Sequence, residues 1–302
     1  MRSSFNVRLA CQVLGYTRQA YYKERTSWIS RESCALGPIL TAMRMARKRN
    51  PTKGCRAVYE IAGPQWPIGR DKSIELMMNY GYRVKYPKSY KKATQAGNRE
   101  FENLLVQKEV TGINQVWQAD MAYYLQGESR FYTMYITDVY SQEIVGYGAY
   151  STNVASNYYH VLSLAIRKQK KYTNGLKRLI HHSDGGKQYE SLVYKNLCKR
   201  NGIKQSMCIY SYENPYAEKT NDLINNGYLN VWKPKTLDQL KIQQAKAVLD
   251  HNLNSRKRAL GKLSPLAFKG QYLKQLLEMK AHPLMLKPSN PEQPRNKKIE
   301  IN

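Results

Sequence analysis

Three carboxylates in this 302-residue chain sit where chemistry could use them. Asp120 lies inside the strand-like run QVWQADMAYYL, Asp184 ends the run LIHHSDGG, and Glu218 falls in the first turn of PYAEKTNDLI, which reads as a helix opened by Pro215. Asp184 follows Asp120 by 64 residues and Glu218 follows Asp184 by 34. A carboxylate in mid-strand between Trp117 and Met121 is costly to bury unpaired. The turn after Asp184 carries Gly185 and Gly186, which leave it bare for a close backbone approach. Brought together, the three acids repel one another unless a cation joins them. All-oxygen donors with open positions suit Mg²⁺ or Mn²⁺. Two such ions would activate an attacking oxygen and stabilise the leaving oxygen of a phosphodiester.

Each acid has a plainer explanation when taken alone. Asp120 could be a structural hydrogen-bonder, Ser183-Asp184-Gly185-Gly186 an ordinary turn, and Glu218 a partner for the helix dipole. Asp138, before a Tyr-Ser turn, competes with Asp120 and reads as structural. Asp222, one helical turn beyond Glu218, remains an alternative third acid. His181 and His182 read as a strand-end pair supporting the turn rather than as metal ligands.

The elements needed to bring these acids together can be read from the pattern. QVWQADMAYYL, FYTMYITDVYS and EIVGYGAYS are three strand-like runs joined by short turns at Gly127 and Ser141, which predicts an antiparallel meander. ASNYYHVLSLAIRKQK has the period of a helix, KRLIHHS is a fourth strand, KQYESLVYKNLCKRNG a helix stopped by Gly202, IKQSMCI a fifth strand, and the Pro215 helix follows. Three strands, helix, strand, helix, strand, helix is the order of a ribonuclease-H-like α/β fold with a mixed five-stranded sheet. In that fold the first and fourth strands are neighbours, and the Glu218 helix packs beside them.

The region before this core reads as mainly helical. In ACQVLGYTRQAYYKE, Gly15 breaks one helix and Thr17 is placed to cap the next, with Arg18, Gln19 and Tyr22 on it. That is the outline either of a helix-turn-helix whose second helix meets DNA or of an ordinary helical hairpin. A separate amphipathic helix is expected in ALGPILTAMRMARKRN, and another in DKSIELMMN before Gly81. We therefore expect a helix-turn-helix-like segment over 1–30, a helical region over 31–95, a linker over 96–112, the catalytic core over 113–270 and a basic, flexible extension over 271–302.

Lys and Arg number 49 against 22 Asp and Glu, a formal charge of +27, which points to a polyanionic partner, nucleic acid first. Residues 1–100 carry a net +14, whereas 101–150 reverse to −4. A cationic chain with one acidic island has the charge layout of a metal-dependent nucleic-acid enzyme. The five cysteines form no C-x-x-C pair, which argues against a disulfide framework or a cysteine zinc site and for thiols in a reducing compartment. With no signal-peptide pattern and no apolar run near 18 residues, a cytoplasmic, nucleoid-associated protein without membrane contact is expected.

NQVWQADMAYY, YITDVYSQEIVGY, HHSDGGKQY, GIKQSM, YENPYAEKTN and LGKLSPLAF, in this order, resemble the catalytic half of insertion-sequence transposases related to retroviral integrases. The resemblance is to the OrfB type of the IS-three group, in the DDE superfamily, and it extends over roughly residues 5–270. It assigns the catalytic and metal-binding roles to Asp120, Asp184 and Glu218, with Asn221 completing an E-x-x-N form. Where relatives place the Glu further beyond N-P-Y, Asp222 would be the match instead. Lys187, Asn214, Tyr216, Lys219 and Asn221, beside these acids, are expected to contact DNA together with Arg18, Gln19 and Tyr22. The resemblance implies Mg²⁺ or Mn²⁺ with two ions per site, cleavage and joining of strands at inverted-repeat ends, a homo-oligomer on DNA, and an OrfA or OrfA–OrfB fusion partner. A nuclease or resolvase of the same fold, and a non-catalytic DNA-binding regulator, are the competing functions.

Overall fold

A computed structural model of the chain describes residues 6–84, 100–127, 129–172, 176–208 and 210–281. Helix α1 (Val7–Val13) ends at Leu14, and Gly15, at φ +66°, turns the chain toward α2 (Arg18–Arg49). Thr17 caps α2 as its position suggests, its hydroxyl accepting the Ala20 N–H at 3.1 Å. The expected second helix of this region does not exist as a separate element. α2 runs 32 residues without a stop, through Pro38 and through the expected boundary at residue 30. Pro38 forfeits a backbone hydrogen bond, but Ala35, Ile39 and Met43 form a fully buried stripe against α3 (Cys55–Ala62) and α4 (Arg70–Asn79). That burial offsets the interruption.

The core is a five-stranded sheet in the order β3-β2-β1-β4-β5. Strands β1 (Val116–Gln126), β2 (Ser129–Asp138) and β3 (Ile144–Tyr150) form the antiparallel meander, with β2 bulged against β3 at Ile136/Thr137. β4 (Ile180–Ser183) joins β1 in parallel, and β5 (Lys204–Met207) joins β4 in parallel. This is the mixed sheet with flanking helices expected of a ribonuclease-H-like core. On one face Trp117, Ala119, Met121, Met134 and Ile136 pack under α5 (Ala155–Gln169) and α6 (Leu192–Arg200). On the other, Tyr124, Tyr135 and Ile144 meet α7 (Pro215–Ile224) and α9 (Leu237–Asn254).

Between α7 and the short α8 (Asn230–Trp232), residues Asn225–Leu229 form a π-helical stretch. α10 (Pro265–Ala281) crosses the segment expected to be a flexible extension, which is therefore helical at least as far as Ala281. It is docked by Lys269, whose ammonium is buried against Glu143 at 2.8 Å, and by Phe268 and Tyr272 around Tyr140. The remainder of that extension, residues 282–302, the last part of the expected helical region, 85–95, and the first part of the expected linker, 96–99, lie outside the described residues; residues 100–112 form neither helix nor strand.

Candidate active site

Strand alternation decides what Asp120 can reach. Trp117, Ala119 and Met121 point into the α5–α6 core, so Gln118 and Asp120 belong to the face covered by α7. The parallel register pairs Ala119 with Ser183, so Asp120 and Asp184 follow side by side as β4 ends. α7 brings Glu218 in its first turn to the same sheet edge.

A polar clamp fixes α7 there. Gln118 accepts the Tyr216 N–H at 2.9 Å and donates to the Glu213 carbonyl at 3.4 Å. Asn214 donates to the Ala119 carbonyl at 3.0 Å, and Thr137 and Thr220 share a buried hydrogen bond of 2.9 Å. Asn221 donates to Asp120 Oδ2 at 2.7 Å, while the Met121 N–H donates to Oδ1 at 2.9 Å.

The half-buried Asp120 carboxyl is pushed up to about 8, first by loss of solvent and then by the neighbouring Asp184 charge, with a smaller contribution from Glu218. Asn221 and the Met121 amide pull in the other direction without cancelling these effects. Asp184 and Glu218 thus both act electrostatically on Asp120. Even so, no group of three or more His, Cys, Asp or Glu side chains among the described residues is gathered tightly enough to hold a metal ion as it stands. Gly186 lies against the site: its N–H donates to Asp184 Oδ1 at 3.3 Å, and an added Cβ would come within 3.1 Å of that oxygen. The glycine therefore makes room for the carboxylate itself as well as for anything approaching it.

The competing residues are placed differently. Asp138 is buried and accepts from the Ser141 amide (2.8 Å), the Ser141 hydroxyl (2.6 Å) and the Asn114 amide (2.7 Å), the hydrogen bonds of a turn-former. Asp222 is exposed and accepts from Asn226 at 2.6 Å, and it does not figure among the charges acting on Asp120. His181 and His182 are buried, bonded to the Tyr194 and Ser206 hydroxyls, and burial pushes them down to about 3 and about 4. They are neutral props of β4.

Of the residues expected at DNA, Arg18, Gln19, Tyr22, Lys187 and Lys219 are exposed, and Tyr216 is half-buried. Asn214 and Asn221 are placed differently from these. Both are buried, and their Nδ2 amides donate to the Ala119 carbonyl and to Asp120, so they hold the site together. Sequence reasoning does not find Gln118 and Thr220; the even spacing of Gln118 from Asp120 along β1 is a signal for the first, and Thr220 has none.

Residues 111–211 match the integrase core domain family, a span that includes Asp120 and Asp184 and stops before Glu218. The chain is 28% identical over 274 residues to the uncharacterized 31 kDa protein of insertion element IS600 from Shigella sonnei, covering 87% of this chain and 98% of that one. It is 25% identical over 216 residues to the transposase InsF for insertion sequence IS3A of Escherichia coli K12, covering 68% and 73%. Among solved structures, the catalytic core domain of HTLV-2 integrase in complex with magnesium matches with 19% identity and a TM-score of 0.41, over 51% of this chain and 95% of that one.

Proposed function

We infer that this chain, which belongs with the insertion-sequence transposases built on an integrase core domain, uses Asp120, Asp184 and Glu218 to cut DNA at the ends of its insertion sequence and join the cut ends to a target. The observation that carries this reading is that β1, the end of β4 and the first turn of α7 each deliver one carboxylate to the same sheet edge, where Asp184 and Glu218 raise the proton affinity of Asp120.

By chemical type the donor set suits a hard divalent cation, which would draw the three side chains closer than they stand here. It offers carboxylate oxygens only, in a place where Asp120 meets two amide donors and, among the described residues, no cationic side chain. Asp120, Asp184 and Glu218 would hold Mg²⁺ or Mn²⁺, in our reading two ions. Bound there, such ions supply activation of the attacking oxygen and charge stabilisation at the leaving oxygen of a phosphodiester.

The chain's own contribution is orientation. Asn221 and the Met121 amide fix the Asp120 carboxylate by one oxygen each. Gln118 and Asn214 hold the start of α7, so Glu218 is delivered on a rigid helix end rather than a loop. Gly186 leaves the Asp184 carboxylate uncrowded. Arg18, Gln19 and Tyr22, exposed on the helix after a tight turn, are the surface we assign to end recognition, with Lys187 and Lys219 beside the acids. An oligomer on DNA, an OrfA-type partner and a nucleoid location belong to the same proposal. No helix among the described residues is long and apolar enough to cross a membrane.

Incubating the protein with Mg²⁺ and labelled DNA from the ends of its own insertion sequence should give both cleaved and joined strands. Cleavage without joining would reassign the chain to the nucleases. Glu218→Gln should be inactive, whereas Asp222→Asn should keep measurable cleavage; the reverse would move the third acid one helical turn along.

A further inference from the structure

On another side of α7 there is a second cluster of like charges, of opposite sign. Lys53 lies in the loop between α2 and α3, Lys219 is next to Glu218 on α7, and Lys257 follows the end of α9 with Arg256 before it. Their backbones are pinned. Asn50 donates to the Tyr228 hydroxyl at 2.7 Å, and Thr52 donates to the Gly227 carbonyl at 3.0 Å, fastening the Lys53 loop to the π-helical stretch beyond α7. The Lys53 ammonium itself reaches the Asn254 carbonyl at 3.3 Å, at the last turn of α9. Lys257 is held in a backbone bridge to Leu263, its N–H donating at 3.0 Å.

The cations are crowded and poorly compensated. Lys53 and Lys257 are half-buried, and among the described residues none of Lys53, Lys219, Arg256 and Lys257 is within ion-pair distance of a carboxylate. The acids that act on Lys53 are Asp250 and the exposed Glu60. Both Asp250 oxygens are already engaged, one by Tyr228 at 2.8 Å and one by Asn254 at 3.0 Å. Burial and then the charges of Lys219 and Lys53 push Lys257 down to about 8, and burial, helped by Arg256, lowers Lys53 against the opposing pull of Asp250 and Glu60. The ring of His251, which faces Lys257, Lys219 and Lys53, is buried and neutral and adds no charge. Positive groups held together on fixed backbone, with the one close carboxylate, Asp250, already engaged by Tyr228 and Asn254, form a site suited to an anionic ligand.

We propose that Lys53, Lys219 and Lys257, with Arg256 at the rim, form a pocket for one backbone phosphate of DNA, at the junction between the helical N-terminal region and the catalytic core. The proposal rests on the reading of the chain as a DNA-cutting enzyme and adds to it a named point of grip. A phosphate is the anion that fits, because lysines carried by three different elements, close enough for their charges to act on one another, suit a compact anion met from several sides better than a planar carboxylate. DNA is the source that fits, because Lys219 adjoins Glu218, so a strand whose phosphate rests in the pocket lies beside the acids. Filling the pocket would also bridge the Lys53 loop to the Glu218 helix, so that grip on DNA and placement of the third acid become linked.

The test measures binding of a fluorescent duplex of about twenty base pairs as a function of salt, in EDTA so that cutting plays no part. The wild type is compared with Lys53→Gln, Lys257→Gln and Lys241→Gln, the last a control on exposed α9 surface. Removing one lysine that neutralises a phosphate should lower the slope of log affinity against log salt by about one. The two pocket variants should each show that drop, and Lys241→Gln should not. Wild-type slopes in both pocket variants, or an equal drop in the control, would refute the pocket while leaving the enzyme reading intact. Failure of the wild type to bind DNA at all would instead sink that reading.

Thermal melting without DNA supplies a second measurement. Removing one crowded cation should leave the melting temperature of Lys257→Gln unchanged or raise it. A marked fall would make the lysine a structural prop and overturn the proposal. So would stabilisation of the wild type but not Lys257→Gln by millimolar inorganic phosphate with duplex binding unaltered, since the pocket would then belong to a free anion.

Discussion

The meander holds two sets of carboxylates that look alike in sequence and are treated in opposite ways. Asp138 and Glu143, at the β2–β3 turn, are almost wholly buried, and every oxygen has a donor. Asp138 takes two amides and a hydroxyl, while Glu143 takes Lys168 at 3.0 Å, Lys269 at 2.8 Å and Gln169 at 3.3 Å. Asp120, on the neighbouring β1, is less buried, yet the charges acting on it are those of Asp184 and Glu218, of its own sign. Burial alone therefore does not separate a structural acid from one proposed to work. What separates them is the company each keeps: the turn acids are surrounded by what they need, and the edge acids by what they must share.

That contrast can be broken most sharply by activity. Asp120→Asn or Asp184→Asn should abolish strand cleavage in Mg²⁺ while leaving DNA binding equal or tighter, because a negative charge beside phosphate is removed. Cleavage retained by either variant in a gel assay would dissolve the proposed site. The turn acids should respond in the opposite sense. Glu143→Gln should leave the buried Lys269 ammonium without its charge partner and cost roughly 3–5 kcal/mol of stability, read as a lower denaturation midpoint. A stability like the wild type would mean that Lys269 finds another partner.

A smaller effect distinguishes the two sets by pH. The folded chain holds a proton on Asp120 up to about 8, whereas an unfolded chain releases it near 3.8. The folded state binds more protons across that window, so the Asp120 contribution is fully present below 3.8 and is lost as pH rises toward 8. In metal-free buffer, Asp120→Asn should therefore lose less stability than the wild type between those values, measured by denaturant melts at several pH values. Parallel curves would show that the edge acids are not crowded in solution. The smallest effect belongs to the N-terminal region. Arg18→Ala with Gln19→Ala should weaken preference for the insertion-sequence ends more than affinity for unrelated DNA; equal losses would return α1 and α2 to a plain helical hairpin.

What can be read from the chain alone follows the range of the interaction. The Thr17 cap, the Gly81 and Gly202 stops, the meander and the Pro215 start are local signals, and each is where the residues say. The full length of α2 is hidden because Pro38 is a local signal overruled by a tertiary one, the buried stripe of Ala35, Ile39 and Met43. α10 is hidden for the same reason, since Lys269 has its partner Glu143 126 residues away and no local pattern records the pairing. At the site, residue type and spacing point to Asp120, Asp184 and Glu218, but not to the inward turn of Asn214 and Asn221, which depends on carbonyl and carboxylate acceptors that only the folded sheet supplies. The Lys53–Lys219–Lys257 cluster spans more than two hundred residues and leaves no trace in the chain's charge pattern.

The sheet order also carries a consequence for synthesis. The meander is built from neighbours in the chain, but the strand that sets Asp184 beside Asp120 is added afterwards, in parallel, and the helix bearing Glu218 comes later still. A nascent chain that has left the ribosome only through the meander presents a sheet with one of the three acids. A chain halted after β4 presents two, and only a chain long enough to lay α7 across β1 and β2 presents all three. On the proposed reading, the order of translation delays the competence to cut until α7 has been made, so a ribosome still short of that helix carries no working blade.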